Sequence, residues 1–332
     1  MNGNRYARIL GLGQSVPARV VTNDDMAKIV DTSDEWIRTR TGIGERRFAG
    51  DGETTATLAA RAACSALEHA GVPPEDIDLV VVATSTPDYP LFPSVSCLVQ
   101  AELGLSRAGA FDLSAACSGF VYGLITATQF IATGAYERIL VVGAETMSRY
   151  LNFEDRTTCV LFGDGAGAAV LTATDDPGGL VSFVLGSDGT GKDHLIVHAG
   201  GSRCPITPSS AANGDDKIRM NGREVYRFST STPADALTRA AEAAGVRVDE
   251  LDLVVAHQAN DRILQTVARN LRVPEELFFS NVEKLGNTSA ASIPLALHDA
   301  VEQGRIQPGS LVGLMGFGAG LTWATAIWRW QG

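Results

Sequence analysis

A cysteine, a histidine and an asparagine, far apart in the chain, are the residues whose surroundings could do chemistry. Cys117 stands in Phe111-Asp112-Leu113-Ser114-Ala115-Ala116-Cys117-Ser118-Gly119-Phe120, where a short apolar run of the kind a buried strand makes gives way to small residues. The stretch from Phe120 to Ile131 is long and apolar on nearly every side, as a buried helix is. Cys117 therefore falls on a strand-to-helix turn at a helix N-terminus. Unpaired N–H groups and the positive end of the helix dipole would lower its thiol pKa there and make sulfur a nucleophile near neutral pH. The competing reading is one more buried small residue, because free cysteines are among the most buried types.

His257, in Leu253-Val254-Val255-Ala256-His257-Gln258-Ala259-Asn260, sits where a second Val-rich strand gives out. Asn287 lies in Asn281-Val282-Glu283-Lys284-Leu285-Gly286-Asn287-Thr288-Ser289-Ala290-Ala291-Ser292-Ile293-Pro294. Pro294 fits only a first helical turn, so a helix should start near Ser292 with Asn287 in the loop before it. There it is either a turn residue or a hydrogen-bond donor to whatever Cys117 and His257 hold. Gly316-Phe317-Gly318-Ala319-Gly320 would bring backbone close to that site. Its N–H groups could form an oxyanion hole with that of Cys117.

The elements that must position these residues come in two copies. Ala70-Gly71-Val72-Pro73-Pro74-Glu75-Asp76-Ile77-Asp78-Leu79-Val80-Val81-Val82 aligns without a gap with Ala244-Gly245-Val246-Arg247-Val248-Asp249-Glu250-Leu251-Asp252-Leu253-Val254-Val255-Ala256. Each describes a helix ending at Gly, an acidic turn and a buried strand, the grammar of a parallel α/β layer. Gly163-Asp164-Gly165-Ala166-Gly167 echoes Gly316-Phe317-Gly318-Ala319-Gly320 in the same order. The chain therefore reads as a duplicated α/β unit, residues 1–175 and 176–332, with the boundary near Asp175 to Gly179. In this alignment His257 stands opposite Ala83, so the imidazole is an addition to the repeat rather than part of its packing. Facing halves would let strand ends converge on one cleft, with Cys117 from the first and its partners from the second. Elsewhere the sequence predicts a strand at Arg8–Gly13, a helix capped at Thr22-Asn23-Asp24-Asp25, a short helix and loop between Asp31 and Arg47, and a helix over Thr54–Ala70.

Composition narrows the function. The 332 residues carry 27 basic and 38 acidic side chains, net −11, the wrong sign for a general nucleic-acid binder. No apolar run is long enough for a membrane span. Met1-Asn2-Gly3-Asn4-Arg5-Tyr6 shows no export signal, which points to the cytoplasm. Cys64, Cys97, Cys117, Cys159 and Cys204 are scattered without paired spacing, as free thiols rather than disulfides or a zinc cluster. Gly186 to Asp193 nearly spells a P-loop but has Asp193 where a hydroxyl is needed and no helix after it. Gly163 to Ala168 loosely fits a dinucleotide fingerprint but runs into a strand. His194 and His198 could share a metal only on a helix, and Leu195-Ile196-Val197 reads as extended. No metal is expected.

Together these segments resemble the β-ketoacyl-[acyl-carrier-protein] synthase III enzymes of the thiolase superfamily over essentially the whole chain. The likeness rests on Asp31-Thr32-Ser33-Asp34-Glu35-Trp36-Ile37, Arg40-Thr41-Gly42-Ile43, Ala116-Cys117-Ser118-Gly119, Phe162 to Ala169, His257-Gln258-Ala259-Asn260 and Gly286 to Ser292. It implies a thiolase-like αβαβα sandwich and a Cys117–His257–Asn287 triad, as distinct from relatives with two histidines or a glutamate. In such enzymes an acyl-CoA acylates the Cys and malonyl-carrier protein then decarboxylates. The carbanion attacks the thioester to give a 3-oxoacyl-carrier protein. The resemblance further implies an oxyanion hole from the N–H groups of Cys117 and Ala319, where the family usually has Gly at the latter. CoA would be held by Trp36, Arg40 and Arg156, and the acidic carrier protein by Arg227, Arg262 and Arg269, with Asp261 an acidic intrusion beside that patch. Phe92 would reach across a homodimer interface to bound an acyl pocket and favour a short primer. No cofactor is implied, acyl-CoA being a substrate. Alternatives are a starter-unit ketosynthase or acyltransferase of polyketide or other secondary metabolism, a thioester hydrolase, and a catalytically silent partner subunit.

Overall fold

A computed structural model describes residues 5–331; Met1 to Asn4, the opening of the segment inspected for an export signal, lie outside it. Two five-stranded sheets carry the same topology. The first runs Tyr6–Ser15, Asp164–Thr174, Arg138–Thr146, Leu79–Ala83, Gly109–Leu113, and the second Gly179–Ser187, Thr322–Arg329, Leu311–Gly318, Leu253–Ala256, Phe278–Phe279, each in spatial order. In both, the first two pairings are antiparallel and the last two parallel. The duplication seen in the sequence is therefore a duplication of fold.

Helices fill the layers around these sheets. Thr55–Ala70 begins in a capping box, in which the Thr54 side chain accepts from Thr57 N, and ends at left-handed Gly71. Its Ala and Leu face covers the outer side of the first sheet. Gly222–Ala243 and Asp261–Leu271 cover the outer side of the second. Between the sheets lie Gly119–Ala132 and Ser292–Glu302, whose Phe120, Leu124, Ile125, Ile293 and Leu297 are buried against Val81, Val141, Val255 and Leu314. Each such side chain contributes about 2 kcal/mol by leaving water. The outcome is the αβαβα sandwich, with the helix that follows Cys117 and the helix that follows Asn287 in its middle layer.

Close approach of that layer depends on glycines. A Cβ on Gly143 would lie 2.3 Å from Ala290 O, and one on Gly167 would lie 2.9 Å from Leu295 N. The echo at Gly163 to Gly167 is thus strand and packing surface, with no Rossmann helix after it. Other expectations shift in detail. The segment from Asp31 to Arg47 holds the helix Asp34–Thr41 and also a strand, Glu45–Arg47, paired with Val20–Thr22. Gly109–Leu113 is not the buried strand its apolar residues suggested, because it forms the edge of its sheet and is half-exposed in the single chain. Leu195–Val197 is extended, so His194 and His198 do not share a helix face.

Candidate active site

Cys117 lies in a single 3-10 turn, Ala116–Ser118, between its strand and the helix Gly119–Ala132. Ala116 adopts a left-handed conformation, φ 47°, which costs an alanine about 1–2 kcal/mol and swings the next side chain out of the strand direction. Hydroxyl contacts tie this turn to the second half. Ser118 Oγ lies 2.7 Å from Ala115 O and 2.9 Å from Thr322 Oγ1, which in turn is 3.0 Å from the carbonyls of Ala115 and Ala319. Gly318 closes the join: a Cβ there would be 2.7 Å from Cys117 N and 3.2 Å from its Sγ. The Gly316–Gly320 segment is thus the end of the strand Leu311–Gly318 with the turn that follows.

His257 follows the strand Leu253–Ala256, with its backbone N donating to Met315 O at 2.8 Å, and its ring meets Phe317 edge-on at 5.1 Å. Burial pushes the imidazole down to about 3, so it is neutral. Nδ1 is buried without a partner, leaving Nε2 as the nitrogen that can serve the cavity.

Asn287 sits in the loop before the helix Ser292–Glu302, whose start agrees with the position of Pro294. Its backbone is clamped at both ends, N donating to Leu161 O (2.8 Å) and O accepting from Gly163 N (2.9 Å). Its Oδ1 accepts from Ser289 N at 2.9 Å, which fixes the amide orientation and leaves Nδ2 as the donor for the cavity. Ser289, like Ala116, is left-handed, φ 49°. Arg46 braces the same loop from below. Its buried guanidinium donates to Val160 O (2.7 Å), Asn23 Oδ1 (2.8 Å) and Val21 O (3.2 Å), and among the described residues it pairs with no carboxylate.

Cys117, His257, Asn287, Gly318 and Ala319 line one cavity with about 680 Å³ of empty space. Its walls are apolar: Tyr226 and Ile263 come from two second-half helices, Met220 from the strand Ile218–Met220, Leu321 from the turn after Leu311–Gly318, and Phe162 from the loop before Asp164–Thr174. One expectation about the site is overturned. The Cys117 thiol is not lowered but pushed up to about 12, because burial disfavours the thiolate and the nearby Glu145 carboxylate repels it. These outweigh the helix end and the hydrogen bond that the thiol makes to Ser289 Oγ at 3.4 Å. The resting pair is a thiol beside a neutral imidazole.

The remaining residues fall around the cavity mouth or apart from it. Trp36 and Arg156 form a cation–π pair, 5.2 Å from guanidinium carbon to ring centre, and Arg156 also donates to Asp31 O at 2.9 Å. Arg40 is at the mouth, where its carbonyl accepts from Nδ2 of the cavity-lining Asn260 at 3.2 Å. Arg227, Arg262 and Arg269 are exposed on two helices joined by the 2.9 Å contact of Tyr226 with Thr266. Arg227 pairs with Glu224 (2.7 Å), and Arg269 bonds Thr266 (2.6 Å). Asp261 begins the helix Asp261–Leu271 that carries Arg262 and Arg269. It is partly buried against Gly42, accepts from Gln265 (2.7 Å), and its carboxyl is raised by burial and by Glu275. Phe92 lines no part of the cavity within its own chain and is 81% exposed beside equally exposed Leu91. Sequence reasoning missed Glu145, Ser289 and Arg46. The one available signal was an acidic residue, Glu145, following the apolar run Ile139 to Ala144 of the strand Arg138–Thr146.

The family model described as 3-Oxoacyl-[acyl-carrier-protein (ACP)] synthase III matches residues 111–189, and that of its C-terminal part matches residues 241–330. The Beta-ketoacyl-[acyl-carrier-protein] synthase III of Roseiflexus sp. (strain RS-1) is 52% identical over 325 residues, covering 98% of each chain. Beta-ketoacyl-[acyl-carrier-protein] synthase III 1 of Bacillus anthracis is 48% identical, over 97% of this chain and 98% of that one. Among solved structures, the Aquifex aeolicus VF5 3-oxoacyl-[acyl-carrier-protein] synthase III superposes with TM-score 0.90 at 44% identity, over 98% of this chain and all of the other. The priming β-ketosynthase of the R1128 polyketide pathway gives TM-score 0.91 at 38% identity, over 100% and 98%.

Proposed function

The chain belongs to the 3-oxoacyl-[acyl-carrier-protein] synthase III family, and from that premise we propose that Cys117, His257 and Asn287 are its catalytic triad. The enzyme is an acyltransferase that condenses an acyl-CoA primer with malonyl-[acyl-carrier protein], starting fatty-acid synthesis. Acyl-CoA is a substrate, and the reaction needs no resident cofactor.

The observation that carries the residue assignment is the shared cavity, which sets sulfur, imidazole, carboxamide and the Gly318–Ala319 backbone around one space. In the first half-reaction the sulfur of Cys117 attacks the thioester carbonyl of acyl-CoA. The N–H groups of Cys117 and Ala319 stabilise the oxyanion, and CoA leaves as its thiolate. In the second, malonyl-carrier protein loses carbon dioxide while Nε2–H of His257 and Nδ2–H of Asn287 donate to the thioester oxygen that becomes an enolate. A neutral imidazole suits this role, since it donates a hydrogen bond without being called on as a base. The enolate carbon attacks the acyl-Cys carbonyl and the Cys117 thiolate departs.

Trp36, Arg40 and Arg156 hold CoA at the mouth, with the Trp36–Arg156 pair offering two flat faces to an adenine. Arg227, Arg262 and Arg269 form the carrier-protein patch. The chain, built of halves 1–175 and 176–332, acts as a homodimer of two such chains in the cytoplasm. The exposed Tyr89, Leu91 and Phe92 and the unpaired edge at Gly109–Leu113 supply the apolar surface a second copy would cover, and Phe92 would then bound the partner's acyl pocket. Among the described residues no helix is long and apolar enough to cross a membrane. The test is the product formed from labelled acetyl-CoA: 3-oxoacyl-carrier protein from malonyl-carrier protein is expected, whereas free acid alone would refute condensation. A starter-unit role in polyketide synthesis is the second reading, favoured by the likeness to the R1128 enzyme. Preference for another acceptor over malonyl-carrier protein would select it.

A further inference from the structure

Glu145 stands one residue before the end of the buried strand Arg138–Thr146 and is wholly shielded from solvent, yet the steps above give it nothing to do. Its carboxylate accepts from Thr86 Oγ1 at 2.6 Å, from Ser85 N at 3.1 Å to each oxygen, from Thr84 Oγ1 at 3.4 Å, and from Ser289 Oγ at 2.9 Å. The Cys117 thiol donates to that same Ser289 oxygen at 3.4 Å. Thiol, hydroxyl and carboxylate thus form a continuous line behind the nucleophile. Among the described residues no lysine or arginine makes a salt bridge or hydrogen bond to Glu145, and its charge raises the Cys117 thiol and the Tyr150 phenol. A carboxylate buried among neutral donors alone is costly to keep for structure.

We propose that Ser289 and Glu145 are the proton relay of the nucleophile, Ser289 touching the reacting sulfur and Glu145 acting through it as a positioning residue and proton store. As sulfur bonds to the acyl carbon, the thiol proton passes to Ser289 Oγ and the hydroxyl proton of Ser289 passes to Glu145 Oε1. The bond from the acyl carbon to CoA sulfur breaks, and the CoA thiolate takes its proton from water. When condensation later expels the Cys117 thiolate, the proton on Glu145 returns along the same line. The pair carries one negative charge at rest, on Glu145, and none in the acyl-enzyme, the charge having left with CoA, so a thiolate never stands beside an ionised carboxylate. Burial also raises the carboxyl above its ordinary range, which makes it a better match for a thiol proton.

The relay rests on the acyl-transfer reading, so the test uses two reagents. Cys117 is alkylated with iodoacetamide and, separately, acylated with acetyl-CoA, from about pH 5.5 to 9, in the wild-type protein, Glu145→Gln and Ser289→Ala. Ser289→Ala leaves the Glu145 bonds to Thr84, Ser85 and Thr86 and the Ser289 N–H on Asn287, so it guards against a Glu145→Gln protein that does not fold. Both variants should react on the order of a hundredfold more slowly at neutral pH, with rates climbing about tenfold per pH unit where the wild type is flat. The dissociation constant for CoA should stay within about twofold. Variants that keep the wild-type pH profile, or that lose rate only together with CoA affinity, would overturn the relay. If acetyl-CoA never labels the wild type while both variants still slow alkylation, the relay stands and the acyl-transfer reading fails.

Discussion

Replacing Gly318 by alanine tests how tightly the second half is seated against Cys117. A Cβ built on Gly318 would lie 2.7 Å from Cys117 N, 2.9 Å from its Cβ and 3.2 Å from its Sγ, so all three close atoms belong to one residue. Ordinary contact begins near 3.4 Å, and the nearest atom is backbone, so Cys117 or the Gly318 strand must move by roughly half an ångström or more. The backbone at Gly318 is not left-handed, so the cost is steric alone. Overpacking of this kind costs about 1–3 kcal/mol, and misplacing a reacting atom by about 1 Å lowers rates by about a hundredfold. Gly318→Ala should therefore acylate 10- to 100-fold more slowly with acetyl-CoA, measured by rapid-quench mass spectrometry, and melt several degrees lower. Gly189→Ala, where a Cβ meets nothing within 4 Å, is the control. Acylation by Gly318→Ala within twofold of wild type would refute the close seating of the two halves at sulfur.

Two further outcomes follow from the same geometry. Because His257 is held neutral down to about 3, the unfolded chain binds a proton that the folded one refuses between that value and the ordinary 6.5, so stability falls as pH falls through this window. The contribution is about 2 kcal/mol between pH 7 and pH 5. Denaturant titrations should show the pH 7 to pH 5 loss reduced by about that amount in His257→Gln; an unchanged loss would show that the imidazole is charged when folded. Reversing Arg227, Arg262 and Arg269 to Glu should raise the KM for malonyl-carrier protein at least tenfold at low salt, while acetyl-CoA acylation stays constant. Equal effects on both substrates would place carrier-protein docking elsewhere.

What the sequence revealed was whatever local grammar or the repeat encodes. The turn at Cys117, the helix start after Asn287 and the strand end at His257 are read from neighbouring residues, and the repeat assigned them to facing halves. What it hid depends on distant partners. The depth of Cys117 and the carboxylate 28 positions along the chain set its thiol, and a helix end cannot report either. Whether Gly109–Leu113 is an edge depends on which strands lie beside it. Asp261 turns inward because Gly42, from the other half, leaves space for it. Glu145 meets Ser289 across 144 residues, and nothing near either position announces the pairing.

The most direct measurement is the intact mass of the protein after mixing with acetyl-CoA, followed by peptide mapping. Addition of one acetyl group per chain, located on Cys117 and discharged on adding malonyl-carrier protein, is the expected result. A protein that stays unmodified, or carries the acetyl group on another residue, would contradict the assignment of this cavity as the place where the acyl chain is transferred.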